Sequence, residues 1–124
     1  MPSQAYSPQL PWQGSNPNEY LREQFVEHGN LIDPTSAVFR NVTHNGPRTV
    51  WCGEVKAKNR FGGYVGWAKF DLIVGKHVTH VEVLRHQDPI RFADEWDEWQ
   101  RAEKVIDAKF RIHDAVCENA KPSP

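Results

Sequence analysis

The side chains able to do chemistry are few and scattered. Cys52 and Cys117, the two cysteines, stand too far apart for metal-ligand spacing. Cys52 falls inside an expected strand with no histidine beside it, whereas activated thiols favour helix starts and electropositive clefts. Two readings stay open for the pair. If a C-terminal helix runs back along a sheet, the two close a disulfide, which stabilises by about 4 kcal/mol through a loop of about 65 residues and implies an oxidising compartment. Otherwise they are buried thiols acting as small hydrophobes. Among the six histidines, His80 and His86 share a strand face with Glu82 under period-two alternation, a set that zinc accepts. No residues are placed to hold three such ligands in position, so no metal and no cofactor is assigned. Asp94, Glu95, Asp97 and Glu98 resemble paired carboxylates, but at a helix start they answer the helix dipole. There is no Gly-rich phosphate loop, no His-Glu-x-x-His and no serine in a nucleophile elbow. No catalytic residue is assigned, and the chain reads as a non-enzyme.

A different chemistry is concentrated in one stretch. Lys56, Lys58, Asn59, Arg60, Phe61, Tyr64 and Trp67 interleave basic and aromatic side chains, the pattern that lets rings stack while cations meet anions. Residues 51–76 carry a net +3 and residues 87–124 a net −3, inside a total of −1. The near-neutral sum therefore hides a polarised molecule. With so small a total charge, no global field draws the chain to nucleic acid or lipid. The expected contact surface is Lys56, Lys58, Asn59, Arg60, Phe61, Tyr64 and Trp67.

The same region carries a resemblance. Asp33-Pro-Thr-Ser-Ala-Val-Phe-Arg-Asn-Val42, Trp51-Cys-Gly-Glu-Val-Lys-Ala-Lys-Asn59 and Phe61-Gly-Gly-Tyr-Val-Gly66 follow one another over about a third of the chain. This run resembles small uncharacterised bacterial and prophage-borne proteins with a DPxSAxFRNV…CGEVNAKNxFGGYxG core. The resemblance implies a shared fold and a bacterial or phage origin, not a reaction. It draws attention to the loop bracketed by Cys52, Gly53, Glu54, Asn59, Gly62, Gly63 and Tyr64. Many such proteins are exported or lipid-anchored. This sequence shows no signal or lipobox, so the expected location is cytoplasmic or virion-associated, and periplasmic if a leader has been removed.

The elements that must position these residues follow from spacing. Residues 1–15 are uncharged and proline-punctuated, an expected flexible arm whose Tyr6, Leu10 and Trp12 dock on a partner. Asn16 caps, Pro17 opens and Gly29 stops a helix over Pro17–His28. Asp33-Pro34 suggests one further turn. Strands are expected over Ala37–Thr43, Arg48–Lys58, Tyr64–Val74 and His77–Leu84, with turns at Asn45-Gly46 and Gly75-Lys76. Asp88-Pro89 opens a last helix over about residues 90–118, whose stripe of Trp96, Trp99, Ala102, Val105, Ile106, Phe110 and Val116 is expected to face the sheet. At about 40 Å it outreaches a four-stranded sheet and must bend or overhang. The expected fold class is α+β: an N-terminal helix, a four-stranded antiparallel meander, and a long C-terminal helix, with the helices packed on one sheet face. One domain spans 16–118, and 119–124 form a disordered tail. No apolar run reaches the roughly 18 residues of a membrane span. The expected function is a non-enzymatic interaction or assembly module with a protein partner or a second copy of itself. Nucleic-acid binding by the basic aromatic surface is the alternative.

Overall fold

The structure, a computed structural model, describes residues 17–90, 92–118 and 120. Helix α1 (Pro17–His28) is followed by four strands, β1 (Asp33–His44), β2 (Val50–Lys58), β3 (Ala68–Val74) and β4 (Thr79–Leu84). A single 3-10 turn (Ala93–Glu95) then leads into α2 (Trp96–Cys117). The strands form one antiparallel sheet in the order β1-β2-β3-β4, the expected meander. Helix α1 matches the expected span, and its end is closed by the Gly29 amide donating to the Phe25 carbonyl at 3.1 Å. The expected cap Asn16 and the arm residues Tyr6, Leu10 and Trp12 lie outside the described residues.

β2 and β4 start two residues later than expected, at Val50 and Thr79, and three boundaries differ by more, each for a local reason. Asp33-Pro34 begins β1 instead of adding a helical turn, because a residue before proline is pushed to extended backbone and an edge strand tolerates proline. β3 starts at Ala68, not Tyr64, because Asn59 diverts the preceding chain into a side-chain-bonded turn, leaving a single bridge between Lys58 and Tyr64. α2 starts at Trp96, not near Ile90. Residues 87 and 88 lie along its flank instead, bonded by Gln87 Nε2 donating to the Trp99 carbonyl and Trp99 Nε1 donating to the Asp88 carbonyl.

Strand alternation decides where the core sits. Trp51, Val55, Ala57, Phe70 and Leu72 point to one face, where Tyr20, Leu21 and Phe25 of α1 bury against them. Phe25, Phe39 and Phe70 form a ring trio with centroids 5.3–5.6 Å apart. Each such buried side chain contributes about 1.5–3 kcal/mol of transfer free energy. Cys52 and Asp71, the neighbours of Trp51 and Phe70, point to the other face, and α2 docks there. The helices thus lie on opposite faces, which corrects the expectation that they share one. Trp51 and Phe39 likewise pack towards α1, not α2.

α2 crosses the strands along one rung. Cys52 pairs with Asp71, and Asp71 with Glu82, so the three form a row across β2, β3 and β4. Cys117, His113 and Lys109, spaced i, i+4 on α2, meet them one apiece. A helix rises about 6 Å in four residues, close to the roughly 4.8 Å between strands, so the registers can match. The first half of α2 therefore overhangs β4 and its apolar stripe is only partly covered: Trp96 and Val105 are exposed, Trp99, Ala102, Ile106, Phe110 and Val116 are half-buried, and His113 is the one buried residue of the helix. Among the described residues no helix is long and apolar enough to cross a membrane.

Candidate functional site

Because α2 occupies one rung, the rest of that sheet face is open. The next rung is Arg40, Glu54, Lys69 and Leu84, paired in that order across the four strands. The rung after it brings Lys56, beside which the chain leaving the sheet lays Trp67 and Tyr64. The result is an alternating row of cations and rings. Arg40 Cζ lies 4.2 Å from the Trp67 centroid and Lys56 Nζ lies 4.8 Å from it. Lys56 Nζ is also 5.4 Å from the Tyr64 ring, and Lys58 Nζ is 5.7 Å from it. Cation–π contacts of this kind each contribute about 0.5–1 kcal/mol at exposed sites. The Tyr64 hydroxyl donates to the Ser36 carbonyl at 3.0 Å, which fixes the ring against β1.

Glu54 orders the head of this row. Its Oε1 accepts from Arg40 Nε at 3.0 Å and from Asn41 Nδ2 at 2.8 Å. The Arg40 hydrogen bond first, then the one from Asn41, hold its carboxyl below the ordinary value. Asn41 reaches it from a bulge, where register shifts between Arg40 and Thr43 and Asn41 takes a φ of 54°. The bulge presses β1 backbone onto Gly53, so the site is built around a residue without a side chain.

The expected contact residues separate into three roles. Lys56, Lys58, Tyr64 and Trp67 come together in the row. Asn59 turns its carbonyl inward, its Oδ1 accepting from the Phe61 and Gly63 amides at 2.9 and 3.2 Å, and Gly62 supplies the φ of 83° that the turn needs. Arg60 and Phe61 stand at the loop tip, Phe61 being 88% exposed. Arg40 was missed by sequence reasoning, since 16 residues separate it from Lys56 and pairing alone joins them. Between the row and α2 runs an open groove of about 730 Å³, lined by Glu54, Trp67, Lys69, Asp107, Phe110 and Arg111 among others.

The histidines distribute differently from expectation. His80 Nε2 lies 3.5 Å from Glu82 Oε1, but β4 ends at Leu84, so His86 leaves their face. His86 stacks on Phe110 at 4.5 Å and bonds Glu103 at 3.1 Å. With Asp107 these two place donor atoms within 4.8 Å of one another, a spacing that suits a divalent cation, although Glu103 is already engaged by the Gln87 amide. That amide, then the His86 contact, keep the Glu103 carboxyl low. Cys52 and Cys117 are joined in a disulfide with Cα atoms 6.0 Å apart, which resolves the two open readings for that pair. No family model matches this chain, and no curated protein or solved structure matches it significantly.

Proposed function

We propose that the protein is an interaction module of bacterial or phage origin, working by binding through the cation–ring row of its open sheet face. The partner that this face suits is an acidic protein surface. One observation carries the reading: α2 follows one rung and leaves Arg40, Lys56, Lys58 and Lys69 in an array within which Glu54 is the carboxylate, with Asp107 across the groove on α2. Cations laid against rings are held for an incoming anion, so little side-chain ordering is left to be lost on binding. The disulfide supports an oxidising location, periplasm or virion surface, over the cytoplasm.

A second reading, binding of single-stranded nucleic acid, is favoured by the exposure of Phe61, which leaves ring surface for a base. Trp67 speaks against it, because Arg40 and Lys56 already lie over its ring. Immobilised polyglutamate and a thymidine oligonucleotide, each probed over a salt series, separate the two. We expect salt-sensitive retention on polyglutamate that Lys56→Ala with Lys58→Ala weakens about tenfold. Retention on the oligonucleotide alone would replace the first reading with the second, and retention on neither at low salt would remove both.

A further inference from the structure

The disulfide ends against two buried polar groups that a mere crosslink does not need. Asp71 is 5% exposed and His113 is 6% exposed. His113 Nδ1 lies 2.8 Å from Asp71 Oδ2, so the ring donates there and its Nε2 is left as the acceptor. Cys117 Sγ, one helical turn further along α2, lies beside the ring, 3.6 Å from that Nε2 and 3.8 Å from Nδ1. Cys52, directly across from Asp71 on β2, is 4% exposed, while Cys117 is half-buried at the last residue of α2. Carboxylate, imidazole and sulfur are therefore in contact, and Nε2 is the ring nitrogen nearest the sulfur, the group set that activates a thiol.

We propose that Cys52 and Cys117 are a redox-active pair for thiol–disulfide exchange. In the reduced protein Cys117 is the nucleophile, His113 its proton acceptor, Asp71 the positioning residue and Cys52 the resolving thiol. The Cys117 proton passes to His113 and the thiolate attacks a sulfur of a substrate disulfide. One substrate thiolate leaves, taking that proton, and a mixed disulfide remains on Cys117. Cys52 then attacks Cys117 Sγ, its proton passing to the second substrate thiolate as it leaves, which gives the disulfide seen here. The substrate disulfide gains two electrons and becomes two thiols, and the protein dithiol supplies both. A dithiol donor restores the reduced protein by the reverse exchange. The other charged groups facing the pair are His80 and Glu82 on β4 and Lys109 on α2, beside an apolar-walled groove of about 270 Å³ that opens on His113 and Asp71. Asp114 and Glu118 flank Cys117 on its own helix end. The dipole of α2 disfavours a lone thiolate at its C-terminus, and a neutral imidazolium–thiolate pair avoids that penalty.

The test is the pH profile of iodoacetamide alkylation on Cys52→Ser, which leaves Cys117, and on Cys117→Ser, which leaves Cys52. The midpoint for Cys117 is expected about one pH unit below that for Cys52. Adding His113→Gln or Asp71→Asn to the Cys52→Ser protein should bring it back up. Burial alone raises the Cys52 midpoint, so the deciding reading is the rise of the Cys117 midpoint on His113→Gln or Asp71→Asn, and its absence would overturn the proposal. If the serine variants do not fold, the same profile is read by differential labelling of the reduced wild-type chain, with and without urea. Equal midpoints for the two thiols, or a Cys117 midpoint above that of Cys52, would reduce the bond to a structural crosslink.

Discussion

At the scale of single residues, the site rests on a glycine and a carboxylate. A methyl group on Gly53 would meet Phe70 Cε2 at 3.0 Å, the Arg40 carbonyl at 3.1 Å and Val42 Cα at 3.1 Å. Two of these are backbone of a bulge and cannot give way cheaply. Gly53→Ala is therefore expected to lower stability by about 1–3 kcal/mol, read from urea midpoints, whereas the same change at Gly46, with nothing within 4 Å, should leave the midpoint near its original place. Glu54 gives a pH-dependent prediction. Its folded value lies below the ordinary 4.5, so its stabilising effect is full above that ordinary value and fades as pH falls through the lower folded one. The gap between wild type and Glu54→Gln in urea melts should be widest near neutrality and shrink below pH 4.5; a gap that stays constant would dismiss the Arg40 and Asn41 bonds as contributors. Residue chemistry was legible where it was local: Lys56, Lys58, Tyr64 and Trp67 were found because they lie close in sequence. Arg40, and the Asp71–His113 pair, whose members are 42 positions apart, were not, because strand register and helix docking create them.

At the scale of elements, α2 is the unusual one, a helix of 22 residues with His113 its single buried residue. Its attachment to the strands is a covalent bond, one buried hydrogen-bonded pair and one exposed ion pair, Lys109 with Glu82 at 3.8 Å. Residues 86–88 after β4 bond its first half through Trp99 and Glu103. The exposed pair contributes under about 1 kcal/mol, while closing a chain segment of 65 residues stabilises by up to about 4 kcal/mol. The disulfide accordingly dominates. In Cys117→Ser, amide hydrogen exchange should rise along α2 and stay protected in α1 and β2–β3, whose core of Phe25, Trp51, Phe70 and Leu72 does not involve α2. Exchange that rises uniformly would mean that the two faces unfold as one unit. The existence and order of the elements were readable from periodicity and capping. Which face each helix takes was misread, because the stripe on α2 from Trp96 to Val116 resembles a core stripe whether or not a sheet lies beneath it. Overhang, not sequence, decides how much of that stripe is covered.

At the scale of the whole molecule, the segregated charge of the sequence, +3 over 51–76 against −3 over 87–124, becomes a geometry. The cations line the open end of the sheet, while Asp94, Glu95, Asp97 and Glu98 ride on the start of the overhanging helix. Two sites then sit on one sheet face, one rung apart: an electrostatic row through Arg40 and Lys56, and the Cys52–Cys117 disulfide under α2. Their supports differ, since the row is braced by β1, β2 and Glu54 and the disulfide by α2. Binding and crosslinking should consequently be separable. Lys56→Ala with Lys58→Ala should weaken polyglutamate binding about tenfold at low salt, as expected for removing two exposed ion pairs, and flatten its salt dependence. Cys117→Ser should leave that affinity within about twofold, a loss too small to reflect a broken contact. Should the serine variant lose binding as completely as the lysine variant, α2 itself would have to form one wall of the binding surface. The groove of about 730 Å³ that it shares with Trp67 and Lys69 would then be the contact site, with Arg111 as its cation.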